Sequence, residues 1–204
     1  MPTGTATIEV RILAIPGIWG SLFISHHMIG QGQGATNNHA WVLSIHPNGR
    51  PRLAIYPNGT PSVIVGPEAS AAIPHAGGAV GWLSATCNPN NGANSVFNYF
   101  TATYDGTLNP SLTQLGTANL TDATTTIFNS TAPLTIPNGI WWGGSVLYAE
   151  VRSPIGGTIV AAGDFRSSKA TDKSVVGTNG TWTLLGNAMI QAESANQNDR
   201  WRPG

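Results

Sequence analysis

The sequence is poor in charge, in cysteine and in long runs of any kind. Of its 204 residues only 9% are charged, against roughly 25% in an ordinary globular chain. Amphipathic helices need Lys, Glu, Arg and Gln on their wet faces, so this shortage argues against a helical protein. Nine basic residues balance nine acidic ones, which leaves no electrostatic footprint for a phosphate backbone or an anionic bilayer. Nucleic acid is therefore not an expected partner. Membrane insertion is not expected either, because no apolar run approaches the length of a span. Cys87 is the single cysteine, which excludes an internal disulfide and a cysteine-based zinc site. The opening MPTGTATIEV lacks the basic residues and apolar core of a signal peptide, so the expectation is a protein made in a cytoplasm and not exported by a cleaved signal. There is no Gly-rich phosphate loop before a helix pattern and no Gly-x-Ser-x-Gly elbow, so neither nucleotide chemistry nor serine hydrolysis is indicated.

What is abundant is turn chemistry: 25 Gly and 14 Pro cut the chain into short apolar segments that read as strands. Ser145 to Arg152 alternates, with Val146, Tyr148, Glu150 and Arg152 on one face and Leu147, Ala149 and Val151 on the other. Ser153-Pro154-Ile155-Gly156-Gly157 then turns the chain, and Thr158 to Ala162 returns as a hairpin. Thr5 to Ile15 sets Ile8, Val10 and Ile12 against Glu9 and Arg11, the pattern of a half-buried strand. Ser21 to Ile29 is a second apolar run, and Gly30 to Asn38 a polar loop. His39–His46, Arg50–Tyr56 and Ser62–Val65 form an expected three-stranded meander joined by two Pro-Asn-Gly turns. Glu68 to Ile73 suits one short helical turn. Val80–Thr86 and Ser95–Thr103 flank a polar turn, with Phe97 and Tyr99 facing one way and Phe100 the other. Leu112–Thr117, Thr124–Phe128, Leu134–Ile136 and Gly180–Ile190 complete the strands. Turn signals at these intervals predict an all-β protein, a two-sheet antiparallel β-sandwich. One domain over residues 1–193 is expected, followed by a C-terminal tail over 194–204.

The features occur in an order that resembles the concanavalin A-like, or laminin G-like, jelly-roll domain found in minor tail proteins of actinobacterial phages. The residues that carry this are Trp41-Val-Leu-Ser-Ile with Asn48-Gly49 and Leu53-Ala-Ile, then Gly81-Trp82-Leu-Ser-Ala-Thr and Tyr104-Asp105-Gly106. Leu115-Gly116, Val146 to Arg152 with Ile155-Gly156-Gly157, Asp164-Phe165 and Gly180-Thr-Trp182 follow. Together they span most of residues 5 to 191. The resemblance implies a protein of the virion surface that contacts other virion proteins and host cell-wall glycans. The rival expectation is a structural capsid decoration or connector protein with no glycan ligand.

The same fold hosts glycosidases, which need two carboxyl groups flanking the scissile bond. The acids are Glu9, Glu68, Asp105, Asp122, Glu150, Asp164, Asp172, Glu193 and Asp199, and no two share a predicted strand. A non-enzymatic protein is expected. No metal or other cofactor is expected, since His26 and His27 would face opposite sides of a strand. Calcium, which many lectin-like relatives use, would draw on Asp105, Asp122 and Asp164, although no compact Asp/Asn loop is present. Aromatic rings near strand ends are the usual platforms for sugars, whose apolar C–H faces stack on them. Trp19, Tyr104, Trp141, Trp142 and Trp201 are the candidate glycan or partner contacts, whereas Trp41 and Trp82, in mid-strand, are expected in the core.

Low charge and a net charge of zero also predict a homo-oligomer or permanent assembly, because soluble monomers rely on a charged surface. Light scattering at micromolar concentration is expected to give a mass above that of one chain. The comparison with a truncated chain ending at Glu193 reports whether Arg200-Trp201-Arg202 takes part.

Overall fold

A computed structural model describes residues 1–15, 26–32, 37–74, 79–136, 145–166 and 174–184. Trp19, His75, Trp141, Trp142, Trp201, the tail over 194–204 and the last residues of the strand expected to reach Ile190 lie outside the described residues. The strands are β1 (Ile8–Ile15), β2 (His26–Gln31), β3 (Trp41–Ile45), β4 (Pro51–Ile55), β5 (Gly81–Asn91), β6 (Asn94–Thr103) and β7 (Thr113–Gln114). They continue with β8 (Asn119–Leu120), β9 (Leu134–Ile136), β10 (Ser145–Arg152), β11 (Ile159–Asp164), β12 (Ser174–Gly177) and β13 (Gly180–Leu184).

They form a β-sandwich. One sheet has seven strands in the order β11-β10-β1-β5-β6-β7, with β8 also on β6, and the other has six in the order β12-β13-β9-β2-β3-β4. All pairs are antiparallel except β13 with β9. The core between the sheets takes alternate residues of β1, β3, β4, β5 and β6, as period-two patterning requires. It contains Ile8, Val10 and Ile12, then Trp41, Leu43 and Ile45, then Phe97 and Tyr99. Phe100 is half-buried on the opposite face of β6. Cys87 is fully buried, and burial pushes its thiol up to about 12, so it behaves as a small apolar side chain.

Several expectations are corrected. Strand β1 is buried on both faces, not one: Leu13 is as enclosed as Ile12, in a second cluster on the outer side of the seven-stranded sheet. Val146 does not share a face with Tyr148. Leu13 pairs Tyr148 and Ala14 pairs Val146, so Leu147 is the extra residue of a bulge, and the bulge turns Val146 into the inter-sheet core. A second bulge between His27 and Ile29 places both Met28 and Ile29 in that core. Strand β5 runs on through the expected polar turn to Asn91, which leaves Gly92 and Ala93 to close the hairpin. The meander's third strand reduces to a single bridge from Val65 to Ile55, and no helical turn forms over Glu68–Ile73. The backbone there caps the β4 edge instead, through Ala69 N–H to Pro51 and Ile73 N–H to Gly49.

The same edge is fastened across the core. The Tyr99 hydroxyl, from the opposite sheet, donates to the Pro67 carbonyl at 2.5 Å and accepts from the Leu53 N–H at 3.1 Å. Gly66 makes this approach possible, since with φ +135° a Cβ there would lie 2.1 Å from the Leu53 carbonyl oxygen. On the far side of the sandwich Ala162 N–H donates to Thr178, and a Cβ on Gly177 would fall 1.5 Å from the Ala162 carbonyl oxygen. Tyr99→Phe removes both hydrogen bonds and strands a buried Leu53 N–H. The expected cost is about 1–3 kcal/mol, read as a fall of roughly 3–10 °C in thermal unfolding.

Candidate functional site

The outer face of the seven-stranded sheet holds most of the chain's described charge and several of its aromatic rings, and it is divided in two. At one end of β1 and β10, Glu9 pairs in register with Arg152 and Arg11 with Glu150, so each charge has two opposite neighbours. The Arg11 guanidinium donates to Glu9 Oε1 at 2.5 Å and lies 3.6 Å from Glu150, and Arg152 donates to Glu150 at 2.7 Å. Ser84 Oγ from β5 and the Gly156 N–H from the turn complete Glu9, and the Tyr148 hydroxyl completes Glu150. Both carboxylates are almost sealed, Glu9 at 3% and Glu150 at 1% exposure. Burial alone pushes the Glu9 carboxyl up, but Arg11, the Gly156 N–H and Ser84 together outweigh it and hold it below the usual carboxylate range. The Ser153–Gly157 turn folds onto this half, with Ser153 Oγ donating to Thr7 and the Ile155 N–H to the Thr7 hydroxyl. Gly156 has φ +70°, the conformation this turn demands of a glycine.

The other half is apolar. Leu13, Trp82, Leu147, Tyr148 and Ala162 are buried there, and Trp82 meets the Tyr148 ring edge-on at 5.8 Å. Trp82 is thus enclosed as expected, although in this outer layer and not between the sheets. Tyr104 lies against the same cluster, half-exposed. Its hydroxyl accepts from Arg166 Nη1 at 3.3 Å, while Asp164 grips the same guanidinium through Nε at 2.9 Å and Nη2 at 2.6 Å. This two-point hydrogen bonding from Arg166, then its backbone N–H and its charge, overcome partial burial and keep the Asp164 carboxyl below its ordinary value. In a flat sheet β6 and β11 stand four strand spacings apart, roughly 19 Å. The Tyr104 N–H still bonds the Val80 carbonyl beside β5, so it is the two long side chains of Tyr104 and Arg166 that span the face between them.

The structure brings Tyr104 and Asp164 together and leaves Asp105 and Asp122 apart from them and from each other. Asp105 accepts from the N–H and hydroxyl of Thr107 in a local exposed turn. Asp122 sits by Ser95, whose backbone bonds both Thr121 and Ala123, at the opposite end of β6 and roughly 30 Å from Asp105 by strand rise. These three aspartates cannot share one calcium ion, and among the described residues no three His, Cys, Asp or Glu side chains cluster for a metal. His46 instead contacts Glu68 at 2.8 Å, and the His39 ring packs on Tyr56. Arg166 and the Glu9–Glu150 meeting were missed from sequence. The signal for the second was present, since Glu-x-Arg in two strands is what an antiparallel pairing aligns into alternating charge. No protein-family model matches the chain, and a search of curated proteins finds no match.

Glu9→Gln leaves Arg11 short of one charge partner inside the sheet, at a cost of about 3 kcal/mol. Because the folded carboxyl titrates below the unfolded one, its contribution is present above the unfolded value and is lost as pH falls through the folded one. Wild type and Glu9→Gln are therefore expected to differ most at neutral pH and to converge in acid, as measured by chemical unfolding.

Proposed function

We propose that this chain is a non-enzymatic bacteriophage virion protein, a minor tail component, whose concanavalin A-like sandwich engages host cell-envelope carbohydrate at the virion surface. The virion assignment rests on the sequence resemblance set out above. The carbohydrate assignment is carried by the Tyr104–Arg166–Asp164 array: an accessible ring beside a guanidinium and a carboxylate already locked in plane. A sugar presents an apolar face to such a ring and hydroxyls to such a rim. The side-chain relative exposure of 40% at Asp164 and 25% at Arg166 leaves both within reach of a ligand. The reading requires no cofactor.

A glycosidase is disfavoured on the same face. Glu9 and Glu150 do approach each other through Arg11, but both are sealed and their oxygens are engaged by Arg, Ser, Tyr and backbone groups. A catalytic pair needs access to the bond and one carboxyl with a raised pKa; the Glu9 carboxyl is lowered. The second reading, a decoration or connector protein, is favoured by Leu120, 61% exposed on β8, and by Val63 and Ile64 after β4, which suit contacts with other virion proteins.

A glycan array with the isolated protein separates the two. Binding that falls up to roughly tenfold in Tyr104→Ala, with unfolding unchanged, is the expected outcome. Binding only to purified virion components assigns the second reading.

A further inference from the structure

The Trp82 indole is 1% exposed and its Nε1–H has no hydrogen-bond partner. A buried donor left unpaired is costly and calls for an explanation; the Trp41 indole is unpaired as well but lies between the sheets, whereas Trp82 lies on an outer face beside a surface segment. Above this indole lies the segment from Asp105 to Leu112. It leaves β6 at Thr103 and returns beside it, with Thr113 paired to Thr101, so its two ends are close together. Between them its hydrogen bonds are internal, from Thr107 to Asp105. Among the described residues Leu108 and Leu112 hold it down, each partly buried against the Trp82 cluster. Segments with few apolar contacts and no backbone bonds to the body open at low free energy.

We infer that Asp105–Leu112 is a flap over a second, closed subsite, in which Trp82 Nε1–H donates to a hydroxyl of a neutral sugar ring. This rests on the carbohydrate reading above and extends it from the surface ring of Tyr104 to the ring beneath. The ligand class follows from the lining. Trp82 and Tyr148 supply ring faces for C–H groups, and the unpaired indole supplies one donor. The described cations on this face, Arg11, Arg152 and Arg166, are each already paired with a carboxylate, so among the described residues none is left to select an anionic sugar. Apolar walls with one fixed donor are the composition of a pocket that orients a neutral hydroxylated ring.

Two measurements on the full chain test this. In ligand-free 15N-labelled protein, hydrogen exchange of the Trp82 indole, assigned through Trp82→Phe, is compared with that of the Val10 and Ala85 amides in the sheet. The flap requires the indole to exchange at least about tenfold faster than those amides, and faster still in Leu108→Gly. Exchange at the rate of the sheet amides overturns the flap. In the second measurement, each oligosaccharide bound on the array is titrated into Trp82→Phe, which keeps a ring and removes the donor. A loss of about tenfold in affinity, with no matching loss for backbone exchange in β1, supports the subsite. Unchanged affinity in Trp82→Phe overturns the subsite and leaves the Tyr104 reading standing. If no oligosaccharide binds any form, the carbohydrate reading fails and the sugar assignment with it, while the exchange data still decide the flap.

Discussion

Two carboxylates are buried at one end of the neighbouring strands β1 and β10 of the seven-stranded sheet, and the outer face is built around that constraint. An isolated ionised carboxyl in such a place would be protonated or would unfold its surroundings. Glu9 and Glu150 are surrounded instead by neighbours that donate to them: two guanidinium groups, two hydroxyls and a backbone N–H. The donors come from β1, β5, β10 and the turn after β10, so satisfying the charge fixes how these elements lie relative to one another. A register slip of one residue between β1 and β10 would move Glu9 and Arg11 to the inter-sheet core, and would leave Glu150 with no cation opposite it. The quartet therefore specifies register where the apolar pattern of Ile8, Val10 and Ile12 alone would accept other alignments.

The two sheets are then joined by polar contacts made at their edges, where exposed backbone groups would otherwise invite pairing with another chain. Tyr99 reaches from β6 to the β4 edge, and Ala162 meets Thr178 beside β11. Both contacts put backbones closer than ordinary side chains allow, which is why glycine stands at 66 and 177. Burial raises the Tyr99 phenol above its ordinary pKa, more than its hydrogen bond to Leu53 lowers it. The hydroxyl therefore keeps the proton with which it bonds Pro67.

Much of this architecture was legible in sequence because strand patterning is local. Period two predicted β1, β3, β6 and β10, and Pro-Asn-Gly predicted the turn between β3 and β4. The misses share a physical cause: they depend on partners distant in the chain. A bulge such as that at Leu147 follows from the fit of one strand to another, and Val146 looks outward-facing until β1 is beside it. Glu68 to Ile73 has nothing against one helical turn until the unpaired edge of β4 captures its N–H groups. Tyr104 was legible as a ring just past a strand end. Arg166, which hydrogen-bonds it, was not, because the contact joins residues 62 apart in the chain that follow different strands.

The division of the outer face carries the functional argument furthest. Its charged half is held by a network in which removal of any one member leaves a buried charge or donor behind, so it cannot rearrange at small cost. Its apolar half is covered by a segment anchored through two leucines. On the flap proposal, stability is concentrated under the Ser153–Gly157 turn and relaxed under Asp105–Leu112, on one continuous sheet. A binding surface needs that combination: a platform whose rings do not shift on contact, beside a cover that can. The alternating charges of Glu9, Arg11, Glu150 and Arg152 fix β10 and with it the ring of Tyr148 against which Trp82 is set, which is how they would serve the proposed binding.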